Sequence, residues 1–570
     1  MKKMSKLLSV IIALVLCVSM VTPAMAIDLT EDYLSNLEQK THTDGYKYVD
    51  LKVEKDENGN VTDNTFNMTG DLNIDYTLRF SGKDDVVLNM NGHTLNHEGA
   101  SGSVIRTEKT NLTINGEGED GSMGTITGGN AVSDGNTYSE NGGGVAANGG
   151  DLTVNNVHIT GNVAEKGGSA IWAKGSDNVT LDNVLVDNAE TGTNEKGEPN
   201  ATGGTVYCKD VNKVTVKDST ITDNTAASAG AGLAFNDCND VTVENTVISN
   251  NTSTGVGSDD DQPLDEPVPF GAGVIAQNVK NLNMTGVTIS GNTADTANGT
   301  GGGMYAYNVD KISMDEVTIS GNKAYYGGGV YTNNVGSIEM NNTQITGNTA
   351  GGAYGGGMYI YSDSTSTTVN GTNTVIADNT FYGGSSANDV FAYANGVTID
   401  MKFGPTTYGD KEFDGWSKSF ETSEFVREGE EADEDGVFGN NYSNNWGWMT
   451  FHWTEQPEQP DEGDKTPVPP VLPEPPVVPV NPTPDPDPEE PVEIEEPETP
   501  LGELPDDPVE IEEPEVPLGE LPEIEIDEPD VPLGDVPQTG EASTMMFVVV
   551  LLACSMGLVY VNTGKRKENA

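Results

Sequence analysis

Positive charge is scarce in this chain of 570 residues: 28 Lys and Arg stand against 90 Asp and Glu, a formal net charge of −62. Nucleic-acid binding needs basic patches that neutralise phosphates, so that class of partner is excluded. Binding of polyuronates or anionic membranes through bulk charge is disfavoured for the same reason. No arginine occurs between Arg106 and Arg427. Cysteine is nearly missing: of four, Cys17 and Cys554 lie in apolar segments near the two ends, leaving Cys208 and Cys238, too few for a disulfide scaffold. Proline is concentrated rather than spread, with 24 of 30 between Pro457 and Pro537. His93, His97, His158 and His452 show no zinc-ligand spacing. Two acidic groups carry hard oxygens suited to calcium: Asp259, Asp260, Asp261, Asp265 and Glu266, then Asp433, Glu434 and Asp435. Neither follows a complete loop signature, so no cofactor is expected, and weak Ca2+ binding stays open as the alternative.

Two apolar runs are present, one near each end. Lys2, Lys3 and Lys6 precede the run from Leu7 to Val21, and Ala24 and Ala26 frame an A-x-A site. This order predicts a secretory signal peptide over 1–26, cleaved after Ala26 and taking Cys17 with it. At the other end stands Val536-Pro537-Gln538-Thr539-Gly540, followed by an apolar segment over 545–561 and the basic Lys565, Arg566 and Lys567. Seventeen mostly apolar residues are just enough to span a bilayer, with the basic tail held cytoplasmic.

That arrangement over 536–570 resembles the sorting signal of LPxTG-type, sortase-anchored surface proteins of Gram-positive bacteria. The resemblance implies that a sortase cysteine attacks the Thr539 carbonyl, that the bond to Gly540 breaks, and that a cell-wall amine takes the acyl group. Pro537 would kink the substrate into the sortase groove. Val536 stands where leucine is usual, which leaves the sortase class open. The implied partners are a sortase and peptidoglycan; the implied location is the cell wall, reached through a membrane-inserted precursor.

Residues 456–535 read as an acidic, Pro-rich, wall-spanning stalk. PVEIEEPETPLGELP from Pro491 returns as PVEIEEPEVPLGELP from Pro508, and Lys465 is the segment's one basic residue. Prolines favour polyproline II and like charges repel, so the segment is expected to be extended, reaching ~250 Å at ~3.1 Å per residue.

Between these ends the chain repeats itself. A hydrophobic-x-Gly/Asp/Asn-Asn landmark ends at Asn162, Asn224, Asn251, Asn292, Asn322, Asn348 and Asn379, with a weaker copy, LVDNAE, near Asp187. A glycine-led strand follows each landmark, as in GGGMYAY from Gly301. Aligned, these strands put Val145, Ile171, Val206, Leu233, Val274, Met304, Val330 and Met358 in one apolar column. Ala147, Ala173, Cys208, Phe235, Ala276, Ala306, Thr332 and Ile360 form a second column on the same face. Two further short strands per repeat, as in VTV and VIS within 241–249, cannot close a core alone. Stacked at ~4.8 Å they bury a continuous one.

The expected fold is therefore all-β: a single-stranded parallel β-helix over 86–395, with an N-terminal cap over 27–85. Residues 396–455 read as a C-terminal cap or small β module. Thr30 is placed to N-cap a short helix with Glu31 and Asp32 in its first turn. The repeats resemble those of polymorphic outer-membrane adhesins, with their GGA[ILV] and FxxN elements, and the right-handed β-helix repeats of bacterial surface proteins; right-handedness is what the resemblance implies.

Because many parallel β-helices are polysaccharide lyases or glycoside hydrolases, an enzyme is the competing reading. The repeats hold no arginine to serve a lyase as base. A hydrolase needs paired carboxylates, and the candidates Asp182, Asp218, Glu244, Asp315 and Glu316 fall at turn or outward positions of successive repeats. The outward position of the glycine-led strand carries Trp172, Tyr207, Tyr305, Tyr331 and Tyr359, with Ala234 and Ile275 interrupting and Tyr307 and Tyr361 two residues on. Alignment predicts an exposed aromatic ladder that either braces the sheet through ring stacking or binds a host or microbial glycan or surface protein. The leading functional expectation is a non-enzymatic adhesin or interaction module, ahead of a wall-attached carbohydrate-active enzyme and a structural spacer. Cys208 and Cys238 are expected one repeat apart and displaced by three residues, ~10 Å between Cα atoms, too far for a disulfide.

Overall fold

A computed structural model describes residues 26–455 apart from 133–140, 193–202, 228–229, 255–270, 295–298, 382–385, 420–437 and a few shorter gaps. The sorting motif Val536–Gly540, the stalk, both apolar runs and both acidic calcium candidates lie outside the described residues.

The chain forms nearly all-β structure in long parallel sheets of repeated strands, an arrangement consistent with a parallel β-helix or solenoid. One repeat shows how the sequence builds it. Met304–Tyr307 belongs to a 16-stranded sheet, Lys311–Asp315 and Thr318–Ser320 to a 23-stranded sheet, and Lys323–Ala324 to a 10-stranded sheet. The next repeat begins at Val330–Asn333 and pairs in parallel with Met304–Tyr307, Met304 opposite Val330. The register runs through Val145, Ile171, Val206, Leu233, Val274, Met304, Val330 and Met358 without a slip. All eight are fully buried. A one-residue slip would turn the apolar column to solvent, which is why the pattern holds the register so firmly. The two-residue strands of the third sheet, such as Thr225–Ala226 and Thr349–Ala350, were not anticipated from the sequence, because two residues carry no readable period.

The landmark motif acquires a physical meaning in each of its four positions. Its hydrophobic residue points into the core, and the next residue points out. The third residue is a left-handed corner: Gly161, Gly291, Gly321 and Gly347 have φ of 63–66°, and Asp223, Asn250 and Asp378 take 55–57° in its place. Only Gly, Asn and Asp adopt this conformation readily, hence their alternation there. The asparagine that follows is buried, and it forms a ladder through the stack. Asn224 Nδ2 donates to Asn251 Oδ1 at 2.9 Å, and Asn251, Asn292, Asn322 and Asn348 each donate to the next asparagine at 3.0 Å. The second Nδ2 proton goes to a carbonyl of the preceding rung, for instance from Asn322 to Ile289 O at 2.9 Å. Both side-chain polar atoms are thereby satisfied inside the core.

Two departures define the ladder's ends. In the weak copy, Val186 pairs with Ile221 and Asp187 with Thr222, so Ala189 occupies the ladder position. Its amide still donates to Asn224 Oδ1 at 3.0 Å, while Asn162 Nδ2 turns to Ile126 O and Thr160 O. At the other end Asn379 donates to Asp389, whose carboxylate also accepts from the Phe451 amide at 2.9 Å.

Parallel pairing reaches into 27–85: Ile27–Leu29 pairs with Thr65–Met68, and Lys47–Leu51 with Thr77–Ser81. The helix Glu31–Ser35 forms there with Thr30 as N-cap, its Oγ1 accepting from the Tyr33 amide at 3.0 Å. Glu54–Lys55 and Val61–Asp63 pair antiparallel around DENGN. Thr398–Phe403 is still parallel to Thr367–Thr372 on one side, but its other side and all later pairings are antiparallel: Thr398–Phe403 pairs with Phe438–Ser443, and Val390–Ala394 and Lys411–Ser419 both pair with Trp446–Glu455. These strands end the parallel stack, with Trp416 buried against Phe403 and Phe451.

Cys208 stacks between Ala173 and Phe235 in the core column, and both cysteines are buried and free. Cys238 Sγ lies 3.5 Å from the Cys208 carbonyl oxygen. Burial pushes the Cys208 thiol well up and the Cys238 thiol up to about 11, so neither supplies thiolate at neutral pH. Native protein treated with iodoacetamide is expected to stay unmodified at both positions and to react at both once unfolded. A Cys208–Cys238 crosslinked peptide from the native protein would overturn the register.

Candidate functional site

The outward aromatic column aligns as its spacing predicts. Trp172 pairs with Tyr207, Tyr305 with Tyr331, and Tyr331 with Tyr359; Ala234 and Ile275 fill the rungs between. The sequence reading missed its continuation, Phe391, which pairs with Tyr359. Strict alternation in VFAYA marks that position, but no glycine run leads directly into it, since SSAND separates Gly384 from Val390.

The exposure expected of the column is corrected by the structure. Trp172, Tyr207 and Tyr305 are only 4, 5 and 3% exposed, and they gather with Ala146, Ala234 and Ile275 into a second hydrophobic cluster outside the main core. Tyr331 and Tyr359 are partly buried. The physical reason is the chain that precedes each strand. A glycine lies four residues before each of Trp172, Tyr207, Tyr305, Tyr331 and Tyr359, and the backbone there runs close beneath the aromatic residue: a Cβ on Gly203 would come 2.5 Å from the Tyr207 ring at Cδ1, and on Gly355 2.9 Å from Tyr359 Cβ. The glycine run is thus a cover that fits because it has no side chain.

Within the column the rings stack. Tyr305 and Tyr331 centroids lie 5.4 Å apart at 7°, Tyr331 and Tyr359 4.9 Å apart at 18°, and Tyr359 and Phe391 4.8 Å apart. Such pairs contribute about 0.5–1.5 kcal/mol each beyond area burial. Burial pushes the phenols of Tyr207, Tyr305, Tyr331 and Tyr359 far up, so they remain neutral.

A fringe of less covered rings borders this column. Tyr326 and Tyr354 arrive from the segments before Gly327 and Gly355: Tyr326 meets the Tyr359 ring at 5.7 Å, and Tyr354 stacks on Phe391 at 4.4 Å. Tyr325 stands edge-on to Tyr326 at 4.6 Å. On the other side, Tyr307, Tyr361 and Tyr393 share one column, Tyr361 and Tyr393 5.4 Å apart.

The carboxylates weighed for hydrolysis take outward or corner positions. Asp182 pairs with Lys217 Nζ at 2.8 Å, Asp218 and Glu316 sit at left-handed corners, and Asp218 and Asp315 accept from Asn245 and Asn342. His158 bonds Asp187 at 3.0 Å, and His97 is buried. Among the described residues no three His, Cys, Asp or Glu side chains gather as a metal site would require. Compared with known proteins, the chain matches no family model, no curated protein and no solved structure.

Proposed function

We propose that this chain is a non-enzymatic, cell-wall-anchored surface protein: an adhesin or interaction module built on a right-handed parallel β-helix and displayed on an extended stalk. The observation that carries the reading is the order of pentapeptide, apolar run and basic tail from Val536 onward, together with the A-x-A site ending at Ala26. The rung stack supports it in two ways. The carboxylates weighed for hydrolysis are engaged in an ion pair, at corners or by asparagine donors on successive rungs. Its additional chain length enters at one place: 133–140, 193–202, 255–270 and 295–298 all fall between a third-sheet strand and the next glycine-led strand. Insertions collected on one edge of a rigid scaffold are the usual way such stacks carry specificity.

Muralytic digestion followed by mass spectrometry is expected to release a chain ending at Thr539, joined through its carbonyl to a peptidoglycan stem or bridge amine. Quantitative release by detergent alone would sink the anchoring. A glycan and matrix-protein screen with product analysis tests the rest: binding without turnover is expected, and turnover of any glycan would favour an enzyme instead.

A further inference from the structure

We infer that the aromatic fringe of the last rungs is a binding face for an uncharged glycan; this rests on the interaction-module reading and names the ligand class. The residues are Tyr326, Tyr354 and Tyr325 on one side of the buried column and Tyr307, Tyr361 and Tyr393 on the other.

Four observations lead there. First, the rings are partly exposed yet held from beneath: Tyr326 rests on Tyr359, and Tyr354 on Phe391. A ring already fixed by stacking loses little conformational freedom when a ligand covers its free face. Second, the neighbouring polar groups are acceptors and hydroxyls. Tyr361 donates to Asp363 Oδ2 at 3.1 Å, and Asp363 itself is exposed, with lone pairs left for sugar hydroxyls. Aromatic faces supply the apolar surface that the C–H side of a pyranose ring covers, and carboxylates and phenols meet its hydroxyl edge.

Third, charge selects among glycans. The rungs contain no arginine beyond Arg106, and the chain carries −62 overall, so sulfated or uronate chains meet repulsion with no guanidinium to pair. Fourth, the size of the face selects glycan over protein. Six largely covered tyrosines offer about 300 Å² of ring surface between them, well short of the ~800 Å² per partner of a stable protein interface. That area suits one to three sugar rings, and many displayed copies would add avidity.

The test uses the full-length chain in affinity electrophoresis through gels containing neutral polysaccharides (mannan, galactan, β-glucan) and, in parallel, polygalacturonate. Retardation by at least one neutral polymer is expected, none by polygalacturonate. Tyr326→Thr with Tyr354→Thr should weaken that retardation at least tenfold when read well below a melting midpoint that the lost ring contacts lower modestly; Thr fits the fold there, since Thr300 stands in the same column one rung earlier. Tyr393→Gln, following Gln277 in its own column, is the second variant should the first fold poorly, with a several-fold loss expected. Unaltered binding in both variants, retardation by the anionic polymer alone, or binding to protein partners with none to neutral glycans would overturn the proposal. Adhesion by cells displaying the chain, with no neutral glycan bound, would reject this face and leave the adhesin reading standing. Absence of both rejects the two together.

Discussion

Asn322→Asp is expected to lower the stability of the rung stack by more than about 3 kcal/mol at pH 8, though it exchanges one NH2 for an oxygen and leaves no cavity. The reason is the sense of the ladder. Asn322 Oδ1 accepts from the Asn292 amide and Nδ2, while its own Nδ2 donates to Asn348 Oδ1 and Ile289 O. A carboxylate keeps the accepting half. Its second oxygen, however, would face two acceptors at about 3 Å inside the core, with no cation to compensate. Ionised or protonated, it satisfies at most one of them. Asn322→Ala is expected to cost less: it strands donors and acceptors but introduces no charge, and Ala189 already occupies a ladder position in this fold. Chemical denaturation of the two variants beside the parent checks this ordering. A parent-like midpoint for Asn322→Asp would show that the ladder contributes nothing.

The same chemistry makes Asp389 acceptable where the ladder ends. There the side chain needs only to accept, from the Asn379 amide and Nδ2 on one oxygen and from the Phe451 amide on the other. Burial nonetheless pushes its carboxyl up to about 7 from the ordinary 3.8. A raised folded value means that the native state holds the proton more tightly than the unfolded chain. Asp389 therefore stabilises fully below pH ~4, and that contribution is lost as pH rises through about 7. The loss is of order 4 kcal/mol for a shift of this size. Its local readout is hydrogen exchange at the Phe451 amide, expected to speed up between pH 5 and 8 beyond the intrinsic rate change, and to lose that excess in Asp389→Asn. A local probe is needed because His97 works the other way. Burial holds its imidazole below the usual 6.5, so its contribution disappears as pH falls. Identical exchange profiles for Asp389→Asn and the parent would remove Asp389 as the titrating group.

How far the site was legible depended on what covers each residue. Alternation in GGGMYAY tells that Met304 and Tyr305 point opposite ways, and landmark spacing tells that Tyr305 lies beside Tyr331; both follow from local geometry. That Tyr207 in the same column would be only 5% exposed does not follow, because part of its cover is the backbone of its own glycine-led approach. Glycine in a turn reads equally as a corner or as a lid. Phe391 escaped for the complementary reason: the chain reaches it without the glycine signature. The carboxylates were readable, since Asp218 and Glu316 stand where only a corner or an outward position is possible in a stack with this register.

By itself the sequence determined the repeat, the eight-residue core column and the free cysteines, because each depends on backbone periodicity and side-chain alternation that recur within about thirty residues. Tertiary structure alone decided the direction of the asparagine ladder, its closure on Asp389, the third sheet of two-residue strands, and the sealing of the aromatic column under glycine backbone. The ladder's sense and the third sheet arise between rungs, from neighbours such as Asn348, 26 residues from Asn322, and Phe451, 62 from Asp389, a distance over which no local pattern speaks; the Asn379–Asp389 bond and the glycine cover join nearer residues, but their direction is fixed by the rungs stacked around them.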